Sequence, residues 1–166
     1  MSKLIKIYTD GSSIGNPGPG GYGIVMLSAD GEYKKEFSQG FKLTTNNRME
    51  LLAVIIGLEN LKLKNCNVKI FTDSKYVSDA VEKGWLFDWV KKDFKNKKNP
   101  DLWRRFLEIY KNHKVKFQWI KGHNNDFYNE RCDFLANLAA KNSNLLEDTG
   151  YNICLLYTSP SPRDVL

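Results

Sequence analysis

The chain has 166 residues, with 25 lysines and arginines against 19 aspartates and glutamates, which gives a net charge of +6. This length suffices for one domain with its own hydrophobic core, and no apolar run approaches the length of a membrane span. Cys66, Cys132 and Cys154 are scattered without metal-ligand spacing, which favours a reducing compartment over a disulfide framework. The first residues lack the pattern of a signal peptide, so we expect a cytoplasmic protein.

Three strands are predicted near the start of the chain. Residues 5–10 alternate between two faces, and residues 22–27 and 33–41 are separated by an Asp-Gly hairpin turn. Residues 11–21 are too rich in Gly and Pro for a regular element. A loop of that length more often has a function than serves only as a connection. Asp10 therefore lies where a buried strand opens into a long loop, although an Asp-Gly pair is also an ordinary turn.

A largely buried helix is predicted over residues 47–63, because apolar residues recur at helical spacing around nearly its whole circumference. Its one early acid is Glu50. With Asn47 as the N-cap residue, Glu50 fits a capping box, and position alone favours this structural role over a catalytic one.

A further carboxylate follows the next predicted strand. Residues 67–73 predict the fourth strand and residues 74–81 a helix, so Asp73 lies at the junction between them. Helix caps occur at such junctions, and so do the functional sites of open α/β sheets. Residues 101–110 and 114–120 then predict another helix and a fifth strand.

Between these elements, aromatic residues are interleaved with lysines. Trp85 and Trp89 precede a run that contains Lys91, Lys92, Lys95, Lys97 and Lys98. A lysine run is usually a solvated face. The combination of lysines, aromatic residues and overall basicity favours contact with nucleic acid.

The last informative segment is a loop that carries His123 and leads into a helix with Asp133 in its first turns. Taken singly, a loop histidine and an early helical acid both have ordinary explanations. Four carboxylates now come from two strands and two helices, namely Asp10, Glu50, Asp73 and Asp133. If they converge, they repel one another unless cations neutralise them.

Oxygen ligands without cysteine or histidine select hard divalent cations, Mg²⁺ or Mn²⁺. Two such ions about 3.5–4 Å apart form the clamp that serves phosphoryl transfer. His123 would suit proton transfer or product release beside them, since histidine titrates near neutral pH.

The motifs resemble those of bacterial type 1 ribonuclease H, in the same order and over residues 3–153. They are residues 8–12, 15–23, 44–51, 72–74, 121–123 and 129–133. The resemblance implies an α/β, ribonuclease H-like fold, with a five-stranded mixed sheet of three antiparallel and two parallel strands flanked by helices. It also implies hydrolysis of the RNA strand of RNA–DNA hybrids, leaving 5′-phosphate and 3′-hydroxyl ends.

The resemblance assigns a role to each motif residue. It implies that Asp10, Glu50, Asp73 and Asp133 bind one or two Mg²⁺ ions, with Mn²⁺ as a substitute, and that His123 aids turnover. The residues it places against the hybrid are Ser13, Asn16, Asn46 and Asn47 at the minor groove, and Thr45, Arg48 and Asn99 at a phosphate of the DNA strand. Residues of about 84–100 resemble the basic handle that grips the DNA strand. Minor-groove contacts fit this substrate, because the 2′-hydroxyl distinguishes RNA from DNA.

Two positions depart from the family pattern. Residues 124–126 are Asn-Asn-Asp, where the family usually has a small residue, then glycine, and often a second histidine. The loop after His123 thus loses a glycine and gains a carboxylate. Ser13 stands where some members have cysteine, which keeps a hydrogen-bonding side chain.

Two other interpretations stay open. A hybrid-binding module without catalysis should lack one of the carboxylates, and this chain retains all four and His123. The ribonuclease H portion of a retroelement polymerase should carry a polymerase remnant, whereas Met1 here lies just before the first strand. We therefore expect an enzyme that acts alone, as a monomer, with no membrane contact and no obligate protein partner.

The resemblance stops near Ile153. Residues 154–164 resemble one translated frame of a transposase-adapter sequence used in shotgun sequencing libraries. We therefore expect residues 1–153 to form the ribonuclease H domain and residues 154–166 to be a non-native tail. Its two prolines, Pro160 and Pro162, disfavour a helix or an inner strand around them.

Overall fold

The structure is a computed structural model that describes residues 4–158, with side chains for residues 4–153. Its five strands are β1 (Leu4–Ser13), β2 (Gly18–Leu27), β3 (Lys34–Thr44), β4 (Asn67–Thr72) and β5 (Lys114–Trp119). They form one sheet in the order β3-β2-β1-β4-β5. The first three strands pair antiparallel, and β4 and β5 are parallel to β1, so the mixed sheet predicted from the sequence is confirmed.

Six helices accompany the sheet within the described residues. They are α1 (Asn46–Glu59), α2 (Lys75–Glu82), α3 (Trp85–Lys91), α4 (Pro100–Tyr110), α5 (Phe127–Ala140) and α6 (Thr149–Thr158). None of them is long and apolar enough to cross a membrane. The last helix passes the domain boundary predicted at residue 153, and the two prolines of the predicted tail lie outside the described residues.

Helices cover the two faces of the sheet unequally. On one face α1, α2 and α4 enclose the main core, which includes Ile7 on β1, Ile70 on β4 and Phe117 on β5. On the other face α5 packs mainly over β1, β2 and β3. Its close approach requires glycine at position 23, where a Cβ atom would overlap the Cys132 carbonyl oxygen. Lys114, Lys116 and Gln118 on the second face of β5 are exposed, so within the described residues this part of the sheet is open.

The first two strands are longer than the sequence predicted. Residues 11–13 continue β1 and pair with residues 20–22, so only residues 14–17 form the connecting loop. The prediction of a long irregular loop was wrong, because glycines that usually weaken a strand here permit close packing of neighbouring elements.

The first helix also differs from its prediction. It begins at Asn46 with Thr45 as the N-cap residue, whose hydroxyl accepts a hydrogen bond from the Arg48 N–H at 3.2 Å. It ends at Glu59, four residues before the predicted end. The capping box with Asn47 was therefore wrong, since the hydroxyl that caps the helix lies two residues earlier and Glu50 is engaged elsewhere.

Arg48 is the centre of a buried ion-pair network and is only 1% exposed. Its Nε and Nη2 donate to Asp148 at 2.8 and 2.9 Å, and its Nη1 and Nη2 donate to Asp101 at 2.9 and 2.7 Å. Burial alone would raise the pKa of Asp101, but the hydrogen bonds and charge of Arg48 outweigh it and lower that pKa. Thr44 donates to Asp148 as well, at 2.6 Å. The network thus joins the start of α1, the start of α4 and the segment before α6.

Replacing Arg48 with methionine should lower the free energy of unfolding by about 3–5 kcal/mol, because Asp148 would remain buried without its partner. The matched control is Arg105→Met, which breaks an exposed pair with Glu59 and should cost less than about 1 kcal/mol. Urea denaturation of both variants measures the difference. Equal losses of unfolding free energy in the two variants would show that the buried network stabilises the protein no more than the exposed ion pair does.

Candidate active site

Three acidic side chains converge at one edge of the sheet. Asp10 extends from β1, Glu50 from the first turns of α1, and Asp73 follows the last residue of β4. Each offers a carboxylate oxygen, and these atoms all lie within 4.8 Å of one another. Asp10 and Glu50 are buried, and Asp73 is half-buried. The position of Asp73 at the carboxyl end of a parallel strand is one where open α/β sheets often place their functional groups.

The approach of α1 to β1 brings Glu50 to this edge. The Gly11 N–H donates a hydrogen bond to Glu50 Oε1 at 3.1 Å. A Cβ atom at position 11 would overlap the backbone of Met49 and Glu50, so only glycine allows the helix to lie this close. The same backbone contact therefore sets both the helix position and the orientation of the carboxylate.

The electrostatics of the cluster favour a bound cation. Burial, followed by the negative charge of Glu50, raises the pKa of Asp10 far above its usual range. Burial also raises the pKa of Glu50, and the charge of Asp73 adds to it. Glu50 Oε2 is buried and has no hydrogen-bond partner among the described residues. An oxygen-only donor set with an unpaired buried oxygen fits a hard divalent cation.

Asp133, the fourth predicted carboxylate, is not one of the three residues whose oxygen atoms lie within 4.8 Å of one another. It lies on α5 next to Asp10 and adds to the raised pKa of Asp10. Asn137 donates to Asp133 Oδ1 at 3.2 Å and accepts a hydrogen bond from the Ser12 hydroxyl at 3.1 Å. Sequence reasoning missed Asn137, although its position four residues after Asp133 places both on one helix face.

A residue at the end of β5 holds the backbone of Asp73 in position. The Trp119 indole N–H donates to the Asp73 carbonyl oxygen at 3.0 Å, and Lys75 Nζ lies 4.8 Å from the centre of the Trp119 ring. Gly122 approaches the Asp73 side chain so closely that a Cβ atom there would lie 2.6 Å from Oδ2. His123 is exposed in the turn that follows Gly122, which places its loop at the border of the cluster. Sequence reasoning missed Trp119, since its contact depends on the register between β4 and β5.

The unusual residues after His123 have a structural role. Asp126 is the N-cap residue of α5, and its side chain accepts a hydrogen bond from the Asn129 N–H at 3.0 Å. His123 and Asn125 both adopt positive φ angles, 56° and 60°. The carboxylate that departs from the family pattern thus ends the histidine loop by starting the helix that carries Asp133.

The structure brings together three of the four residues predicted at the minor groove. Asn46 Oδ1 accepts from the Ser13 N–H at 2.6 Å and from its hydroxyl at 3.0 Å, and Asn16 Oδ1 accepts from the Asn46 N–H at 3.0 Å. Asn16, Asn46 and Asn47 are exposed. This cluster joins the β1–β2 loop to the start of α1, next to the carboxylates.

The residues predicted at a DNA-strand phosphate lie in a different environment. Arg48 is buried and all five of its N–H groups have acceptors, the last being Asn99 Oδ1 at 3.2 Å. Asn99 also donates to the Tyr76 hydroxyl at 3.0 Å. Thr45 is half-buried and caps α1. Of this group, Thr45 and Asn99 reach the surface, while Arg48 supports them from below.

The predicted handle is a short helix followed by turns. Leu86 and Phe94 anchor it to the core, and Trp89 packs edge-on against Trp103 at 5.8 Å. Trp85 is 46% exposed. The five lysines of the handle are all exposed, namely Lys91, Lys92, Lys95, Lys97 and Lys98. The segment thus presents a basic, partly aromatic surface.

Comparison with known proteins identifies the class. The RNase H family profile matches residues 2–141. The Ribonuclease H of Desulforamulus reducens is 57% identical over 148 residues, which cover 86% of this chain and 91% of that protein. The chain therefore belongs to the ribonuclease H family.

Two solved structures share the fold. LC9-RNase H1, described as a type 1 RNase H with the type 2 active-site motif, is 29% identical with a TM-score of 0.76, covering 99% of this chain and 84% of that one. LC11-RNase H1, solved in complex with an RNA/DNA hybrid, is 30% identical with a TM-score of 0.64 and covers 82% of this chain and 96% of that one.

Removing one charge from the cluster should stabilise the protein when divalent cations are absent. Because the folded-state pKa of Asp10 is raised, the native state binds more protons than the unfolded state above pH about 4, and stability should fall as the pH rises. Asp10→Asn should therefore melt at a higher temperature than the wild type at pH 8, with a smaller difference at pH 5. Calorimetry with a chelator measures both. A lower melting temperature at pH 8 would contradict the raised pKa.

Proposed function

We propose that the chain is an endonuclease that hydrolyses the RNA strand of RNA–DNA hybrids and leaves 5′-phosphate and 3′-hydroxyl ends. The observation that carries this proposal is the group of Asp10, Glu50 and Asp73 oxygen atoms within 4.8 Å, with Asp133 beside them. Family membership and the hybrid complex of LC11-RNase H1 support the substrate. A hybrid-binding module without catalysis is not favoured, because it has no need of mutually repelling buried carboxylates.

Asp10, Glu50, Asp73 and Asp133 would hold one or two Mg²⁺ ions, with Mn²⁺ as a substitute. A metal held by these residues would activate a water and stabilise the leaving oxygen of the phosphodiester. Gly11 and Trp119 keep Glu50 and Asp73 in position through backbone hydrogen bonds. His123, exposed on a turn beside Asp73, would exchange protons with the leaving group or the solvent.

The exposed surface around the carboxylates would hold the hybrid. Ser13, Asn16, Asn46 and Asn47 would offer hydrogen-bonding groups to the minor groove, where RNA displays its 2′-hydroxyl. Thr45 and Asn99 would contact a DNA-strand phosphate, with Arg48 holding Asn99 in place. The handle lysines would add sequence-independent contacts to the DNA backbone. Because these contacts need no further subunit, we propose that the protein is a monomer. We also propose that it acts in the cytoplasm.

Two substitutions test the chemistry. Asp73→Asn should keep the fold and the affinity for the hybrid but remove nearly all cleavage, because the metal site loses a charged ligand. His123→Ala should retain slow cleavage, reduced by roughly 10²–10⁴-fold, as expected for a lost proton-transfer group. Single-turnover cleavage of a labelled hybrid measures both rates. Wild-type cleavage by Asp73→Asn would refute the metal assignment.

Charge neutralisation tests the handle. Changing Lys91, Lys92, Lys95, Lys97 and Lys98 to glutamine should weaken hybrid binding and flatten its salt dependence. Each lost contact to a duplex phosphate lowers the slope of log affinity against log salt by about 0.9. The control changes five exposed lysines elsewhere, namely Lys35, Lys62, Lys64, Lys111 and Lys141. If both variants show the same slope, the handle lysines are only a solvated surface.

We also propose that residues 1–153 form the functional domain and that residues 154–166 are a non-native tail. Before this boundary, Leu146 exchanges backbone hydrogen bonds with β3, and Asp148 binds Arg48. Because the family resemblance stops near Ile153, truncation after Ile153 should leave the melting temperature and the cleavage rate unchanged. Truncation after Glu147 is the control and should destabilise the protein by removing Asp148. Loss of several degrees in the first variant would assign the tail to the protein.

A further inference from the structure

The open face of β4 and β5, together with the adjoining start of β1, carries a row of lysines. Lys6 on β1, Lys69 on β4 and Lys116 on β5 lie directly opposite one another in the register of the parallel strands. Lys6 and Lys116 are exposed, and Lys69 is half-buried. At about 4.8 Å between neighbouring strands, the row spans roughly 10 Å. Lys114 extends the positive charge along the exposed edge strand.

This arrangement is unfavourable for the isolated protein. Like charges directly opposite on neighbouring strands destabilise a sheet. Lys6, Lys69 and Lys116 make no ion pair with any residue between 4 and 153, and Lys69 Nζ instead lies 5.5 Å from the centre of the Phe71 ring. A polyanion on this face would relieve the repulsion, since phosphates supply the missing counter-charges.

Aromatic side chains line the next row of the same face. The rings of Tyr8 and Phe71 stack at 4.5 Å with an interplanar angle of 10°. Tyr128 lies 5.0 Å from Tyr8, and Phe127 continues the line 5.1 Å beyond Tyr128. Phe127 is 70% exposed. Aromatic rings beside a basic row are typical of surfaces that bind single-stranded nucleic acid, where bases stack and lysines contact the backbone.

The position of this face relative to Asp10 indicates which strand of the nucleic acid would contact it. Lys6, Tyr8 and Asp10 share one side of β1, and Asp10 lies four residue steps after Lys6, a distance of roughly 13 Å along the strand. Asp10 belongs to the carboxylates proposed to act on the RNA strand, so RNA that runs from Asp10 along this side of β1 would meet the aromatic line first and then the lysine row. Asp126, whose charge acts on Tyr8, is already engaged as the cap of α5.

We propose that the lysine row and the aromatic line form a second site, which binds single-stranded RNA that continues beyond the hybrid. This site rests on the proposed function for its substrate, and it adds affinity for hybrids with an unpaired RNA extension. It has no part in cleavage itself.

Binding to three hybrids of equal duplex length tests the proposal, one blunt, one with an RNA overhang and one with a DNA overhang. Binding is measured in chelator, so that no cleavage occurs. The wild type should bind the RNA-overhang hybrid several-fold more tightly than the other two. In the variant Lys6→Gln/Lys69→Gln/Lys116→Gln this gain should disappear. The salt slope for the RNA-overhang hybrid should fall by roughly 2, because a single-strand contact contributes about 0.7.

The control variant, Lys35→Gln/Lys62→Gln/Lys64→Gln, has the same net charge and should keep the gain. Cleavage of the blunt hybrid in Mg²⁺ should be equal in both variants and the wild type, which separates this site from the proposed function. The lysine-row variant should melt no lower than the wild type, because a repulsion is removed. The proposal is wrong if the RNA overhang gives no gain, if a DNA overhang gives the same gain, or if the gain survives in the lysine-row variant.

Discussion

The close approach of α1 to β1 at Gly11 is the constraint on which the site depends. Three carboxylates would separate if their elements were free to move, because they repel one another in a buried position. The helix and the strand are held together by the core, and the Gly11 N–H binds Glu50 directly. The stability of the core thus maintains an arrangement of like charges that a divalent cation can neutralise.

Arg48 fixes the same helix from its other side. It lies two residues before Glu50, and its ion pairs to Asp101 and Asp148 tie the start of α1 to α4 and to the segment before α6. The start of α1 also presents Asn46 and Asn47 to the surface. One buried network therefore positions both Glu50 of the carboxylate cluster and the amides proposed to face the hybrid.

The sequence was sufficient for the strands that alternate cleanly, such as β5. It also located Asp10, Glu50 and Asp73, which the structure brings together, because each lies at or near a predicted element boundary. It was insufficient where glycine serves packing rather than flexibility, as in residues 11–13, which pair as strand. It also missed Trp119 and Asn137, whose roles depend on contacts between elements far apart in the chain. The minor-groove and DNA-phosphate contacts came from the family resemblance, whereas the proposed role of His123 followed from its chemistry beside the carboxylates.

The most direct test of this account is cleavage of an RNA–DNA hybrid, with the two strands labelled separately, in Mg²⁺ and in excess chelator. The account predicts that only the RNA strand is cut, that its fragments carry 5′-phosphate and 3′-hydroxyl ends, and that the chelator stops the reaction. Cleavage that persists in the chelator, or a cut in the DNA strand, would contradict the assignment of the carboxylate cluster as a metal-dependent ribonuclease H site.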